Sequence, residues 1–156
     1  LIFGLEPIER GFAIRDAREL DLGNWTAAGL PFYPAGVDYR FRLGRDRGGG
    51  APQPAVSRVR LSLGDWAGSL VVVSAAGTKL GEIVHPPYEL DIDLDEGTDE
   101  IDLRVIGNMR NMMGPFFSDG VPVSPRWAAG PEHMPPGREY RLQPSGLFET
   151  PHVKSG

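Results

Sequence analysis

Asp91, Asp93, Asp95 and Glu96 crowd four carboxylates into six positions of the chain, the first three on alternate residues. Hard cations such as calcium take carboxylate oxygens at that kind of spacing. A calcium loop counted from Asp91 needs glycine at its sixth position, however, and Glu96 stands there. Leu90, Ile92 and Leu94 fill the intervening positions, which is the pattern of a strand with one solvated face. A strand face is therefore the leading reading and a structural calcium the alternative. Two carboxylates could also act as general acid and base on a glycosidic bond if held about 5 Å or about 6.5–9.5 Å apart. With 21 acidic residues in the chain, pairs are too common to select one. The reading without catalysis is kept, with a small stand-alone glycosidase or lyase as an alternative. His85, His133 and His152 show no metalloprotease-like spacing. His85, before Pro86-Pro87, reads as a loop residue, and His133, in the 127–137 stretch, is the better ligand candidate. No G-x-S-x-G sequence is present, and Gly48-Gly49-Gly50 lacks the Lys-Ser/Thr of a phosphate loop, so it reads as a linker. The absence of cysteine excludes disulfides and thiolate metal sites.

The elements that must carry these residues are strands. Tyr88, Leu90, Ile92 and Leu94 alternate with Glu89, Asp91 and Asp93, and after Asp95-Glu96-Gly97-Thr98 the alternation resumes with Ile101, Leu103 and Val105. Successive side chains of a strand point to opposite faces, so this predicts two half-buried strands. Their tight connection predicts an antiparallel hairpin, which needs a second sheet over its apolar face. Val37–Leu43 and 56–63 alternate in the same way. Leu70–Ser74 is a continuous apolar run, expected to be covered on both faces. Ala75-Ala76-Gly77-Thr78 is expected to turn it into a hairpin with 79–84. Phe12 and Ile14 suggest edge strands, 107–115 a helical turn, and 139–142 and 147–153 final strands. The Gly- and Pro-rich stretch 25–36 carries Trp25, Phe32 and Tyr33, which either plug the end of a core or face a ligand. The fold class expected is all-β, a two-sheet antiparallel sandwich.

A chain of 156 residues with no long linker fits a single domain, 1–156. The opening LIFGLEPIERG, without an initiator Met, reads as a module cut from a longer chain or a processed one. Its 21 glycines and 15 prolines supply the many turns of an all-β fold. A net charge of −5 disfavours nucleic acid and anionic membranes as partners. Arg40, Arg42, Arg58 and Arg60 alternate with apolar residues and read as solvated strand faces. No apolar run approaches the roughly 20 residues of a membrane span.

Four segments, GLPFYPAGVDYRFRL (29–43), VVVSAAGTKLGEIVHPPYELDI (71–92), DEIDLRVIGNMRNMMGP (99–115) and SGLF (145–148), together resemble the galactose-binding-like jelly-roll domain attached to large glycoside hydrolases. The likeness is to the sugar-binding domain of family-two β-glycosidases and to the carboxy-terminal sandwich of α-L-rhamnosidase-like enzymes. Two positions depart from the pattern: Ala76-Gly77 replaces an Asn-Gly turn, and Asp99 stands where an Asn is frequent. The resemblance implies a jelly-roll sandwich. It also implies a non-catalytic module, because the catalytic acids of such enzymes sit in a separate barrel that nothing here resembles. A structural calcium held by loop carbonyls and a secreted or periplasmic location come from the resemblance alone.

Under that resemblance the aromatic residues become candidates for sugar binding. A pyranose has an apolar face that stacks on an aromatic ring, while its hydroxyls bond to amides and charged groups. The candidate ligand residues are Trp25, Tyr33, Trp66, Asn108, Arg110, Asn111, Trp127 and His133, with Tyr88, Phe116 and Phe117 as further aromatics. For each Trp, burial in a core or a domain interface is the competing reading, and Tyr88 is expected to point inward. The expected partners are an oligo- or polysaccharide, a catalytic domain of the same enzyme, or both. A ligand-free scaffold would instead show an apolar patch of Met109, Met112, Met113, Phe116 and Phe117.

Overall fold

The computed structural model of the chain describes residues 3–16, 20–43, 56–113 and 136–155. Eleven strands occur among them: β1 (Phe3–Pro7), β2 (Phe12–Asp16), β3 (Gly36–Arg42), β4 (Val56–Ser62), β5 (Trp66–Ala67), β6 (Leu70–Ala75), β7 (Thr78–Ile83), β8 (Glu89–Asp95), β9 (Glu100–Ile106), β10 (Gly146–Leu147) and β11 (His152–Ser155). One helical turn, α1 (Arg110–Met113), follows β9. The strands form a four-stranded sheet, β3-β9-β6-β7, a three-stranded sheet, β11-β4-β8, and two short pairs, β1-β2 and β5-β10. Every strand pairing is antiparallel. The expected all-β class with two antiparallel sheets is the fold observed. No helix among the described residues is long and apolar enough to cross a membrane.

β8 and β9 do not form the expected hairpin. β8 pairs with β4, while β9 lies between β3 and β6 in the other sheet. The link through Glu96 and Gly97 therefore arches from one sheet to the other. Charge accounts for the choice. A hairpin closed at Glu96-Gly97 would set Asp91 opposite Asp102 and Asp93 opposite Glu100, and like charges directly across a ladder are destabilising. The arch instead sets Asp91 opposite Arg60, Asp102 opposite Arg40 and Glu100 opposite Arg42. The turn itself is as expected, with Gly97 at φ 82° and the Thr98 N–H donating to the Asp95 carbonyl. The β6-β7 hairpin forms as predicted, through Ala76 and Gly77 at positive φ.

The inward faces of the two sheets make one core. Val71, Val73, Leu103, Val105 and Ile101 of the larger sheet and Leu61, Ile92 and Leu94 of the smaller are at most 3 % exposed. They belong to a single apolar cluster, as expected for sheets packed face to face. Tyr39 of β3 joins it, and its hydroxyl accepts the Leu147 N–H. Burial pushes the Tyr39 phenol pKa up, and the bond from Leu147 opposes that rise. β6 differs from its expected double coverage: Val71, Val73 and Ala75 are buried, but Leu70, Val72 and Ser74 are half-exposed. Val72 lies between Arg104 and Glu82 in the ladder, whose aliphatic stems flank it. Gly81 of β7 lies against Leu90 of β8, where an added Cβ would come within 2.7 Å of Leu90 Cδ2. At that edge the two sheets approach each other closely.

The outer faces carry ladders of opposite charge. On β3-β9, Arg40 Nε is 2.7 Å from Asp102 Oδ1, Arg42 Nε 3.1 Å from Glu100 Oε1, and Arg104 Nε 3.7 Å from Asp38 Oδ1. On β4-β8, Arg60 grips Asp91 with two bonds, of 2.6 and 2.9 Å. The arginine-rich segments are thus solvated strand faces matched to acids across the ladder. The bond from Arg60 holds the Asp91 carboxyl below the ordinary carboxylate pKa; desolvation opposes this, and the Arg60 and Arg58 charges reinforce it. A group with a depressed native pKa contributes stability that is complete above its unfolded pKa, about 3.9, and lost as pH falls through the native value. In urea melts, wild type is expected to be more stable than Asp91→Asn near neutral pH, with the gap closing below about pH 4. The pair is exposed, so about 0.5 M salt should narrow the gap even at neutral pH. A gap that widens in acid would contradict this assignment.

The C-terminal region departs from expectation. Residues 139–142, expected as a strand, begin within a 3-10 turn at Gly137–Glu139 and lie outside any ladder. The expected strand 147–153 is two short ones, β10 against β5 and β11 against β4. Pro151, buried between them, has no N–H to donate, so the ladder breaks there.

Candidate functional site

One end of the sandwich gathers β5 and the turn after it, the residues that follow β9, the link from β7 to β8 and the approach to β10. Together they enclose an open pocket of about 260 Å³, walled chiefly by Trp66, Ser69, Val84, Tyr88, Asn108 and Gln143. Trp66 is held there by its strand. β5 pairs with β10, with Leu147 opposite Trp66. The turn before it is tied down twice: Glu149 Oε2 accepts the Asp65 N–H at 3.2 Å, and Phe148 donates to the Asp65 carbonyl at 2.9 Å. Gly64 lies against the Glu149 side chain, which a Cβ at this position would displace.

Trp66 and Tyr88 meet edge to face, their ring centroids 5.3 Å apart and their planes at 89°. Both are half-buried and both pack against the core. Tyr88 reaches this position with φ at 58°, in the left-handed region that a bulky side chain rarely adopts. Such a residue carries about 1–3 kcal/mol of strain and persists where its surroundings fix it. Here they do: the Tyr88 N–H donates to the His85 carbonyl at 3.1 Å, and its own carbonyl accepts the Leu63 N–H at 3.0 Å. Tyr88 thus packs against the core, the direction the sequence suggested, and also forms a wall of the pocket.

The polar side of the pocket comes from the residues that follow β9, the turn between β5 and β6, and the segment before β10. Asn108 Oδ1 accepts the Arg110 N–H at 3.0 Å and so caps the start of α1. Its Nδ2 and the side-chain amide of Gln143 make no hydrogen bond among the described residues. Ser69 Oγ donates to the Gly107 carbonyl at 2.9 Å, leaving its lone pairs toward any donor. The described lining thus combines an aromatic ledge with uncharged hydrogen-bonding groups.

Only some of the candidate residues meet here. Trp66 and Asn108 do. Trp25 is 2 % exposed and shows no ring face to solvent; it fills the plug position that its loop left open. Tyr33 lies edge-on to it, with centroids 6.5 Å apart, and donates its hydroxyl to the Gly36 carbonyl. Asn111, 5 % exposed, has its amide engaged within the fold: Nδ2 donates to the Pro31 and Gln143 carbonyls, and Oδ1 accepts the Gln143 N–H. Arg110 is exposed on α1 and forms no part of the pocket wall. Trp127 and His133, like Phe116 and Phe117, lie outside the described residues. Ser69, Val84 and Gln143 were not singled out in the sequence, and no motif marks them. Gln143 in particular arrives at the pocket through the long-range bonds of its backbone to Asn111 and Thr26.

The acidic run of β8 makes a different arrangement from a metal loop. Asp91 is bound by Arg60, and Asp93 stands opposite Arg58. Among the described residues no three His, Asp or Glu side chains converge. A second hollow of about 160 Å³, between the β1-β2 pair and residues 27–29, contains Glu6 and Arg15, which are paired with each other. Comparison of the chain with family models, curated proteins and solved structures gives no match.

Proposed function

We propose that this chain is a non-catalytic β-sandwich module that binds carbohydrate at the Trp66 pocket and serves as an accessory domain of a glycoside hydrolase. The jelly-roll, galactose-binding-like form of the sandwich belongs to this reading, as does a structural calcium held by loop carbonyls. The observation that carries it is the half-exposed Trp66 ring, braced by a strained Tyr88 beside the side-chain amides of Asn108 and Gln143. The apolar face of a pyranose would lie on the aromatic ledge, and its hydroxyls would bond to the amides.

Isothermal titration against mono- and oligosaccharides tests the reading, with affinities around millimolar expected for so open a site. Trp66→Ala should lose binding by about tenfold or more while the far-ultraviolet circular dichroism stays unchanged, and Trp66→Phe should keep most of it. Absence of heat with every sugar, or full binding by Trp66→Ala, would refute it.

A second reading is favoured by the three methionines that follow the pocket. Met109, Met112 and Met113 are 57 %, 51 % and 73 % exposed, a flexible apolar surface suited to docking on a catalytic domain of the same enzyme. If sugar does not bind and Met112→Glu abolishes association with such a domain, the scaffold role stands alone.

A further inference from the structure

Three of the chain's 4 methionines, Met109, Met112 and Met113, fall within a single helical turn. The Met109 carbonyl accepts the N–H groups of both Met112 and Met113 at 3.0 Å, so the turn is closed from Met109 onward. At about 100° per residue, the three side chains leave one side of that turn within an arc of about 100°. Asn111 leaves about 150° from the centre of that arc. It anchors the turn to the body of the protein, through its amide bonds to Pro31 and Gln143. Asn108 caps the turn at its start. The methionines thus stand on a fixed platform, yet each is more than half exposed. Core packing does not account for them.

A thioether sulfur is a soft donor without charge. Residues three and four apart on a helix have Cβ atoms about 5–6 Å from each other. The three rotatable bonds of each methionine let the sulfurs close on one ion between them. Thioethers suit copper(I), whereas calcium and magnesium take oxygen ligands and zinc takes thiolate, imidazole or carboxylate. No cysteine in the chain competes for a soft ion. The Arg110 charge flanks the group, and at so exposed a place salt screens its repulsion.

We propose that Met109, Met112 and Met113 form a three-thioether site for one soft monovalent cation, copper(I). None of the three lines the Trp66 pocket, so the site does not depend on what that pocket binds.

The test is titration calorimetry of the whole chain with silver(I), a redox-inert ion of the same charge and softness, and with copper(I) kept reduced by ascorbate. One ion should bind per chain, and the methyl resonances of Met109, Met112 and Met113 should move together as it does. A thioether has no proton to lose, so affinity should change by less than about threefold between about pH 7 and about pH 5. A site built on His85, His133 or His152 would instead be lost there, as imidazole protonates near its ordinary pKa of about 6.5. Met112→Leu keeps the apolar bulk and removes the sulfur; it should weaken binding about tenfold or more, with the thermal melt unmoved. The double variant Met112→Leu/Met113→Leu should not bind. Binding that survives the double variant, or that disappears by about pH 5, overturns the proposal. So does the absence of binding by either ion, and in each case the carbohydrate reading stands or falls separately.

Discussion

Trp25→Ala is expected to remove about 3–5 kcal/mol of stability, the range for truncating a large buried aromatic. Trp25 is 2 % exposed and closes the core at the pocket end. Its ring lies against Tyr33 and against Gly107, where even a Cβ would come within 3.2 Å of it. The backbone around it is fixed: Trp25 donates its N–H to the Ser145 carbonyl and accepts from Leu30. Neighbours so anchored relax little, so the cavity stays open and the loss falls in the upper part of the range. For a chain of this length each kcal/mol moves Tm by about 2–4 °C, so thermal melts should fall by about 6–20 °C. A tryptophan serving only as a surface ligand would change stability by about 0.5 kcal/mol or less. A Trp25→Ala protein within about 1 kcal/mol of wild type in urea titration would therefore show that the ring is not a plug.

Asn111→Ala is expected to cost about 2–4 kcal/mol. Asn111 ties two distant stretches together: its amide donates to the carbonyls of Pro31 and Gln143 at 3.0 and 2.9 Å and accepts the Gln143 N–H at 2.8 Å. Truncation strands these backbone groups, and each buried group without a partner costs about 1–3 kcal/mol. Binding should suffer too, because Gln143 is part of the pocket wall. Asn111→Asp gives the sharper reading. It keeps the shape but turns an ionised oxygen toward two carbonyls that need donors. Its carboxyl should have a native pKa above the unfolded value of about 3.9. The added destabilisation is then full at neutral pH and relieved as pH falls toward that value, the reverse of the trend at Asp91. Equal stability of Asn111→Asp and wild type at pH 7 in urea melts would show that Asn111 does not bridge the two stretches.

The strands were legible because their chemistry is local. Val37–Leu43 and Ile101–Val105 state by alternation alone that one face is buried, and β3 and β9 bear this out. Partner choice is not local, and alternation carries no information about it. The hairpin expected of β8 and β9 fails for a reason that was nonetheless in the sequence. Asp91 and Asp93 repel Asp102 and Glu100, and two arginine-bearing strands, Arg40-x-Arg42 and Arg58-x-Arg60, were waiting for each set. Weighing the charge of the outward face as well as the apolarity of the inward one would have found both sheets. Trp66 and Asn108 were legible as an aromatic at a sheet end and a loop amide. Gln143 was not, since only tertiary bonds to Asn111 and Thr26 bring it there. Nor was the burial of Trp25, because a Gly- and Pro-rich loop looks the same whether it turns inward or outward.

The arch between β8 and β9 has a kinetic consequence. Because consecutive strands go to opposite layers, neither layer is made by a continuous piece of polypeptide: Arg60 finds Asp91 across 31 positions, and Arg40 finds Asp102 across 62. Only β1-β2 and β6-β7 can close early as neighbours along the chain among the described strands. The remaining pairings bear the entropy of long loop closure before any contact rewards it, which places folding in the slow, millisecond-to-second regime of non-local topologies. It also means that cutting the chain between β7 and β8 leaves no self-sufficient half: the first fragment keeps the β6-β7 hairpin but separates β3 and β4 from their partners β9 and β8, and the two must recombine to recover either layer.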